Sequence, residues 1–205
     1  MKTDWSKHWE NSSKNNFLWG FWKWRIKRMY ENILRGYEVS GSVIELGCGS
    51  GSNSLILSKM FNLDSITLVD SNDKALEIAK NTFRGSRIKT NFLRKDVLKM
   101  NLRKKFDLVH SEGLVEHFYG KDLNRIFKKH ADLCKKGGLI VIIAPYNNLQ
   151  YRFYRKAYSL LGKWIWDETP FEKRTIFSIC KKNKLKILRF TTSVMTHELG
   201  ILLTK

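Results

Sequence analysis

Proline and cysteine are scarce in this 205-residue chain, and acidic residues are few. The two prolines, Pro145 and Pro170, leave no Pro-rich linker, and no repeat or low-complexity tract divides the sequence. One folded domain with terminal additions is therefore expected, and the length suffices for one core. The three cysteines, Cys48, Cys134 and Cys180, form no CxxC pair and have no histidine at zinc-ligand spacing. That pattern excludes a disulfide framework and fits a reducing compartment. No apolar run approaches the roughly eighteen residues of a membrane span. The opening MKTDWSKHWE lacks the apolar stretch of a secretion signal, so a cytoplasmic location is expected. Nineteen Asp and Glu face thirty-eight Lys and Arg, a net charge of +19. Such a balance favours anionic partners: nucleic acid, acidic lipid, or a phosphorylated or carboxylated small molecule.

Hydrophobic residues make up 42% of the chain, which excludes a disordered protein. Residues 1–40 are rich in tryptophan, and Trp19, Trp22, Ile26, Met29 and Ile33 recur at helical spacing. A helix over 17–35 is expected, closed by Gly36. Apolar runs at 43–46, 65–69, 88–93, 106–110 and 139–144 then read as strands. Helices are expected at 53–61, 73–83 and 123–133, the last stopped by Gly137 and Gly138. The fully apolar 139–144 suits a central parallel strand. A helix over 170–182 and strands over 185–190 and 193–203 complete the reading. Alternating strands and helices predict a single α/β domain with a doubly wound, mostly parallel sheet of seven strands. The final pair, joined without a helix, suits a reversed C-terminal strand at one edge.

The sharpest local signal is the run Glu45-Leu46-Gly47-Cys48-Gly49-Ser50-Gly51 between a strand and a helix. Glycine is needed where the backbone takes positive φ or approaches a ligand closely, and the following helix N-terminus suits a polar or negative group. Asp70 ends the next strand, where a carboxylate can bind both hydroxyls of a ribose. These features describe a nucleotide-type cofactor site.

Further motifs narrow the class. They are Leu68-Val69-Asp70, Lys95-Asp96-Val97, Phe106-Asp107-Leu108-Val109, Gly113-Leu114-Val115-Glu116-His117-Phe118 and Lys135-Lys136-Gly137-Gly138. With the glycine loop, this set resembles the class I S-adenosylmethionine-dependent methyltransferases over roughly residues 40–145. An NAD-dependent oxidoreductase would keep the fold but leave Glu45, Asp96 and the Glu-His pair unused.

The resemblance implies a Rossmann-like methyltransferase fold over 41–205, preceded by a 1–40 aromatic helical cap, with 146–169 as a lid insertion. It implies S-adenosylmethionine as cofactor and S-adenosylhomocysteine as product. The methionine end would lie on Glu45, Gly47, Cys48, Gly49 and Gly51. The ribose would fall to Asp70, with Ser71 and Asn72 near the adenine. Asp96 and Val97 would meet the adenine, and Ser111, Glu112 and Leu114 the methionine end and acceptor. Asp70 can alternatively cap a helix, and Asp96 a surface turn. Candidate bases are His117, Glu112 and Tyr146. Trp5, Trp9 and Trp19, with Tyr146, are expected to cover the acceptor. Some relatives bind a metal through acid-x-x-Glu-His. Here Glu112 lies one residue too far from Glu116, and no metal is expected.

For the acceptor, the Glu-His pair and the Pro145-Tyr146-Asn147 turn favour an O or N atom of a small-molecule or lipid-like compound, possibly anionic. The basic balance favours RNA or protein instead, with an aromatic-basic surface over 146–190. Peripheral membrane contact is a further expectation. A non-catalytic binding protein would not require the intact glycine and acid set.

Overall fold

The computed structural model describes Thr3, Trp5, Trp9 and residues 16–162, 164, 167–193 and 197–205; of residues 16–19 it gives the backbone only. The Trp19 side chain therefore lies outside the described residues.

Helix α1 (Asn16–Leu34) precedes strand β1 (Gly41–Leu46), α2 (Ser52–Met60), β2 (Leu63–Asp70), α3 (Asp73–Thr82) and β3 (Lys89–Arg94). Then come β4 (Phe106–Glu112), a 3-10 turn (Val115–His117), α4 (Gly120–Leu133) and β5 (Cys134–Pro145). Helices α5 (Leu149–Leu160) and α6 (Lys173–Lys182) and strands β6 (Lys186–Thr192) and β7 (Glu198–Thr204) complete the chain. The sheet order is β3-β2-β1-β4-β5-β7-β6. Strands β1 to β5 are parallel, and β7 runs antiparallel to both β5 and β6. This is the expected doubly wound sheet of seven strands. The reversed strand lies one place in from the edge, which β6 forms. Among the described residues no helix is long and apolar enough to cross a membrane.

Period-two patterning sorts the core onto two faces. Ile140 and Ile142 of β5 pack with Phe127 of α4 and Ile176 of α6. Val141 and Ile143 pack with α1, α2 and α3 through Ile26, Ile33, Leu57 and Ala79. Helix α1 is thus part of the core, and its C-terminal carbonyls are satisfied from the sheet. Arg189 Nη1 donates to the oxygens of Asn32, Ile33 and Arg35 at 3.2, 2.8 and 2.7 Å.

Several boundaries move for identifiable reasons. Gly137 and Gly138 lie inside β5, where the pairing with β4 shifts register between Phe106 and Leu108. A Cβ at Gly138 would lie 2.9 Å from the Asp107 oxygen, so these glycines serve a strand irregularity and not a helix stop. Helix α6 starts at Lys173, with Glu172 as N-cap, not at Pro170. Helix α5 arises within 146–169, where Asn148 accepts from the Tyr151 N–H at 2.8 Å as a side-chain cap.

Gly200 of β7 is where α1 meets the sheet. A Cβ there would lie 2.3 Å from Ile33 Cδ1 and 3.2 Å from Met29 Sδ. Gly200→Val is expected to destabilise the fold by about 2–3 kcal/mol through overpacking. Urea unfolding checks this, and Ile33→Ala in the same chain should recover part of the loss. A change under about 0.5 kcal/mol would contradict the packing described.

Candidate active site

Strand order reverses between β1 and β4, which opens a crevice at the C-terminal ends of the parallel strands. The glycine loop lies there. Cys48 N–H donates to the Val69 oxygen at 2.9 Å and Gly49 N–H to Asp70 Oδ2 at 2.9 Å. Asp70 Oδ1 accepts from the Asn72 N–H at 2.9 Å. Asp70 therefore braces two loops while also facing the crevice. Burial raises its carboxyl above the ordinary value, and the N–H donors of Asn72, Gly49 and Ser71 pull it back. Gly49 has φ +49, and a Cβ would sit 2.5 Å from the Trp9 ring. Only glycine lets that tryptophan lie on the loop.

The crevice holds a cavity of about 920 Å³. Gly47, Cys48, Gly49 and Ser50 form one wall, with Asp70, Ser71, Asn72, Asp96 and Val97 beyond them. Glu112, Leu114, Glu116 and His117 form another, and Trp5, Trp9 and Trp22 contribute rings. His117 Nδ1 lies 2.9 Å from Asp167 Oδ1, and Trp5 meets the His117 ring edge-on at 5.0 Å. Thr3 meets the same carboxylate: its hydroxyl donates to Asp167 Oδ1 at 2.6 Å and accepts from the Asp167 N–H at 3.0 Å. Burial lowers the His117 pKa, and the Asp167 carboxylate opposes that shift. The ring is therefore neutral at neutral pH.

Among the described residues six acids line the cavity and no Lys or Arg does. Burial pushes Glu112 up to about 7, with Glu198 adding to the rise, and raises Glu116 and Glu168. Arg25 pairs with Glu198 at 2.7 Å. Two buried acceptors on the wall, Asn53 Oδ1 and Glu116 Oε2, have no hydrogen-bond partner. Among the described residues no three His, Cys, Asp or Glu side chains are grouped to hold a metal.

Behind the loop runs a buried polar chain. The Tyr30 hydroxyl meets His110 Nδ1 at 2.9 Å, and His110 Nε2 meets Ser54 Oγ at 3.0 Å. Ser54 donates to Glu45 Oε2 at 2.6 Å, and Asn53 Nδ2 donates to Glu45 Oε1 at 3.1 Å. Asn53 Nδ2 also reaches Glu112 Oε2 at 3.4 Å. The chain links α1 to the cavity wall through β4, α2 and β1.

Four expected site residues do not reach the wall. Glu45 is spent on this chain. Gly51 packs against Leu68, Phe83 and Ala79. Ser111 is fully buried with its hydroxyl on His130 Nε2 at 2.9 Å. Tyr146 packs edge-on against Phe190 at 5.9 Å. Conversely, sequence reasoning missed Asn53, Asp167, Glu168, His197 and Glu198. The last two arrive because β7 is antiparallel, so its first residues pair with Pro145 at the C-terminal end of β5. A polar His-Glu pair opening an otherwise apolar strand was their only signal.

His130 makes the pH response testable. Its Nδ1 donates to the Ile126 oxygen at 2.8 Å, and burial lowers its pKa to about 4. A base with a lowered folded pKa stabilises above its unfolded value of 6.5, and that stability is lost as pH falls. Between pH 6.5 and 4, wild type should lose about 1.4 kcal/mol per pH unit relative to His130→Gln. Urea unfolding across that range checks it, and parallel curves would contradict it.

Residues 43–138 match the family model described as a methyltransferase domain. The chain is 26% identical over 194 residues to a ubiquinone biosynthesis O-methyltransferase of Pelagibacter ubique, covering 87% of this chain and 79% of that protein. Its fold matches an S-adenosylmethionine-dependent methyltransferase from Clostridium acetobutylicum, with TM-score 0.66, 18% identity, and 94% and 93% of the two chains covered. It also matches magnesium protoporphyrin IX methyltransferase from Synechocystis, solved with S-adenosylhomocysteine bound, with TM-score 0.69, 14% identity, and 97% and 92% covered. Residues 43–138 thus carry the methyltransferase-domain pattern, and the chain has the fold of S-adenosylmethionine-dependent methyltransferases. The cavity lies where the glycine loop and the acid ending β2 face each other. A cofactor carrying an ammonium and ribose hydroxyls fits that wall. It offers the donors that Asn53 Oδ1 and Glu116 Oε2 lack.

Proposed function

We propose that this enzyme moves the methyl group of S-adenosylmethionine to an O or N atom of a small-molecule or lipid-like acceptor inside the 920 Å³ cavity. One observation carries the reading: His117, held by Asp167 and met edge-on by Trp5, lines the same cavity as Glu112, buried Glu116 and Trp9. When bound, the cofactor supplies a methyl activated by its sulfonium. Gly47, Cys48 and Gly49 hold its methionine end and Asp70 accepts from its ribose hydroxyls. Ser71, Asn72, Asp96 and Val97 receive the adenine. With Nδ1–H held by Asp167, the His117 Nε2 lone pair takes the proton that a hydroxyl or ammonium acceptor loses. Trp5, Trp9 and Trp22 exclude water from a reaction in which charge is dispersed.

The acidic lining refines the acceptor. The chain is strongly basic, yet among the described residues the cavity wall presents six carboxyl groups and no Lys or Arg. That wall disfavours an anionic acceptor and suits a neutral or protonated one, and it weakens the RNA reading for the same reason. The name of the Pelagibacter relative, an O-methyltransferase, supports oxygen as the accepting atom. The test is methyl incorporation from labelled cofactor into fractionated small molecules, bulk tRNA and protein. Label confined to neutral or cationic small molecules is expected; label confined to tRNA or protein would contradict the reading.

A further inference from the structure

Seven of the nine large apolar side chains that stand well exposed among the described residues lie on α1 or on α5 and its closing residue. Their concentration makes a patch, not a scatter. On α5, Leu149, Phe153 and Leu160 are 81%, 76% and 79% exposed. At 100° per residue, these three and Lys156 fall within roughly 60° of each other around the helix. The other side of α5 is already used. Tyr151 is buried and donates to Glu168 Oε1 at 3.2 Å, and Tyr154 stacks on His197 at 4.7 Å.

Helix α1 repeats the arrangement. Phe21 and Trp24 are exposed and stacked at 5.8 Å, while Trp22 between them lines the cavity. The two helices are neighbours. Arg25 of α1 pairs with Glu198, the residue next to the His197 on which Tyr154 of α5 stacks. Charge accompanies the apolar groups. Helix α5 carries Arg152, Arg155 and Lys156 and no acid, and α1 carries Lys23, Arg25, Lys27 and Arg28 against Glu31 alone.

We propose that α1 and α5 together dock this protein on the surface of an anionic lipid bilayer. Leu149, Phe153, Leu160, Phe21 and Trp24 enter the interface, and Lys27, Arg28, Arg152 and Lys156 meet acidic headgroups. Single-stranded nucleic acid would use the positive charge and the aromatic rings but has no use for exposed aliphatic leucines, so their presence favours lipid. The docking stands apart from methyl transfer and does not depend on it.

The test is co-sedimentation with phosphatidylcholine vesicles containing phosphatidylglycerol, beside vesicles of phosphatidylcholine alone. Binding is expected to follow the anionic lipid, to weaken as salt rises, and to fall about tenfold or more in the Leu149→Asp/Phe153→Asp/Leu160→Asp variant. All three side chains point to solvent, and an unchanged melting-temperature rise with S-adenosylhomocysteine verifies that the variant is folded. No binding to anionic vesicles, or equal binding by the folded triple variant, would overturn the proposal. So would tight tRNA binding that vesicles cannot displace, or a dimer dispersed by Phe153→Asp in a protein that ignores vesicles.

Discussion

Replacing His117 with Asn is expected to lower kcat by about 10²–10⁴-fold while leaving the KM for S-adenosylmethionine unchanged. The reason is geometric before it is electrostatic. Asp167 holds the imidazole at 2.9 Å, and Thr3 holds Asp167. Asparagine can keep a contact to Asp167 but offers no basic nitrogen. Burial lowers the His117 pKa, so wild-type kcat should fall at acid pH, as the ring protonates below its ordinary value of 6.5. That acid limb should vanish in the variant. Tyr146→Phe serves as the contrast: its ring sits against Phe190 and not on the cavity wall, so kcat should hold. A His117→Asn enzyme with wild-type kcat and an intact acid limb would remove His117 from the chemistry.

Asp70→Asn is expected to weaken S-adenosylhomocysteine binding by roughly a hundredfold, about 3 kcal/mol. Both carboxylate oxygens accept N–H groups in the protein, from Gly49 and Asn72. An amide has one acceptor oxygen, so its NH₂ must face one of those donors. The variant loses a brace of the glycine loop as well as the group that receives the ribose. Asp96→Asn should cost much less. Asp96 is exposed and its carboxylate already accepts from the Leu98 and Lys99 N–H groups in a turn. Calorimetric titration of both variants checks the ranking, and an Asp70→Asn affinity within about threefold of wild type would contradict it.

Much of the fold was legible because the central parallel strands are buried on both faces. Val43–Leu46 and Leu139–Ala144 have no polar alternation except Glu45, and the glycine loop and Asp70 mark where two of the strands end. Helix α5 was less legible, since Tyr151 is buried while Leu149, Phe153 and Leu160 face outward, which blurs a one-sided pattern. In the site, the loop, Asp70, Glu112 and His117 lie close to motifs that announce them. Asp167, Glu168, His197 and Glu198 do not, because the reversed strand and the segment before α6 bring them in from more than fifty residues beyond the last motif on β4. Glu45 and Ser111 were misplaced for a common reason. Sequence position places a residue near the loop but does not say whether its side chain turns toward the cavity or into the sheet. The net charge of +19 does not extend to the described cavity wall, which carries six carboxyl groups.

The account rests on one crevice serving cofactor and acceptor together. A crystal structure with S-adenosylhomocysteine bound is the most direct test. Density is expected between the Gly47–Ser50 loop and Asp70, with the ribose on the Asp70 carboxylate and the thioether end toward Glu112 and His117. Density lying elsewhere, or a ribose that leaves Asp70 untouched, would contradict it.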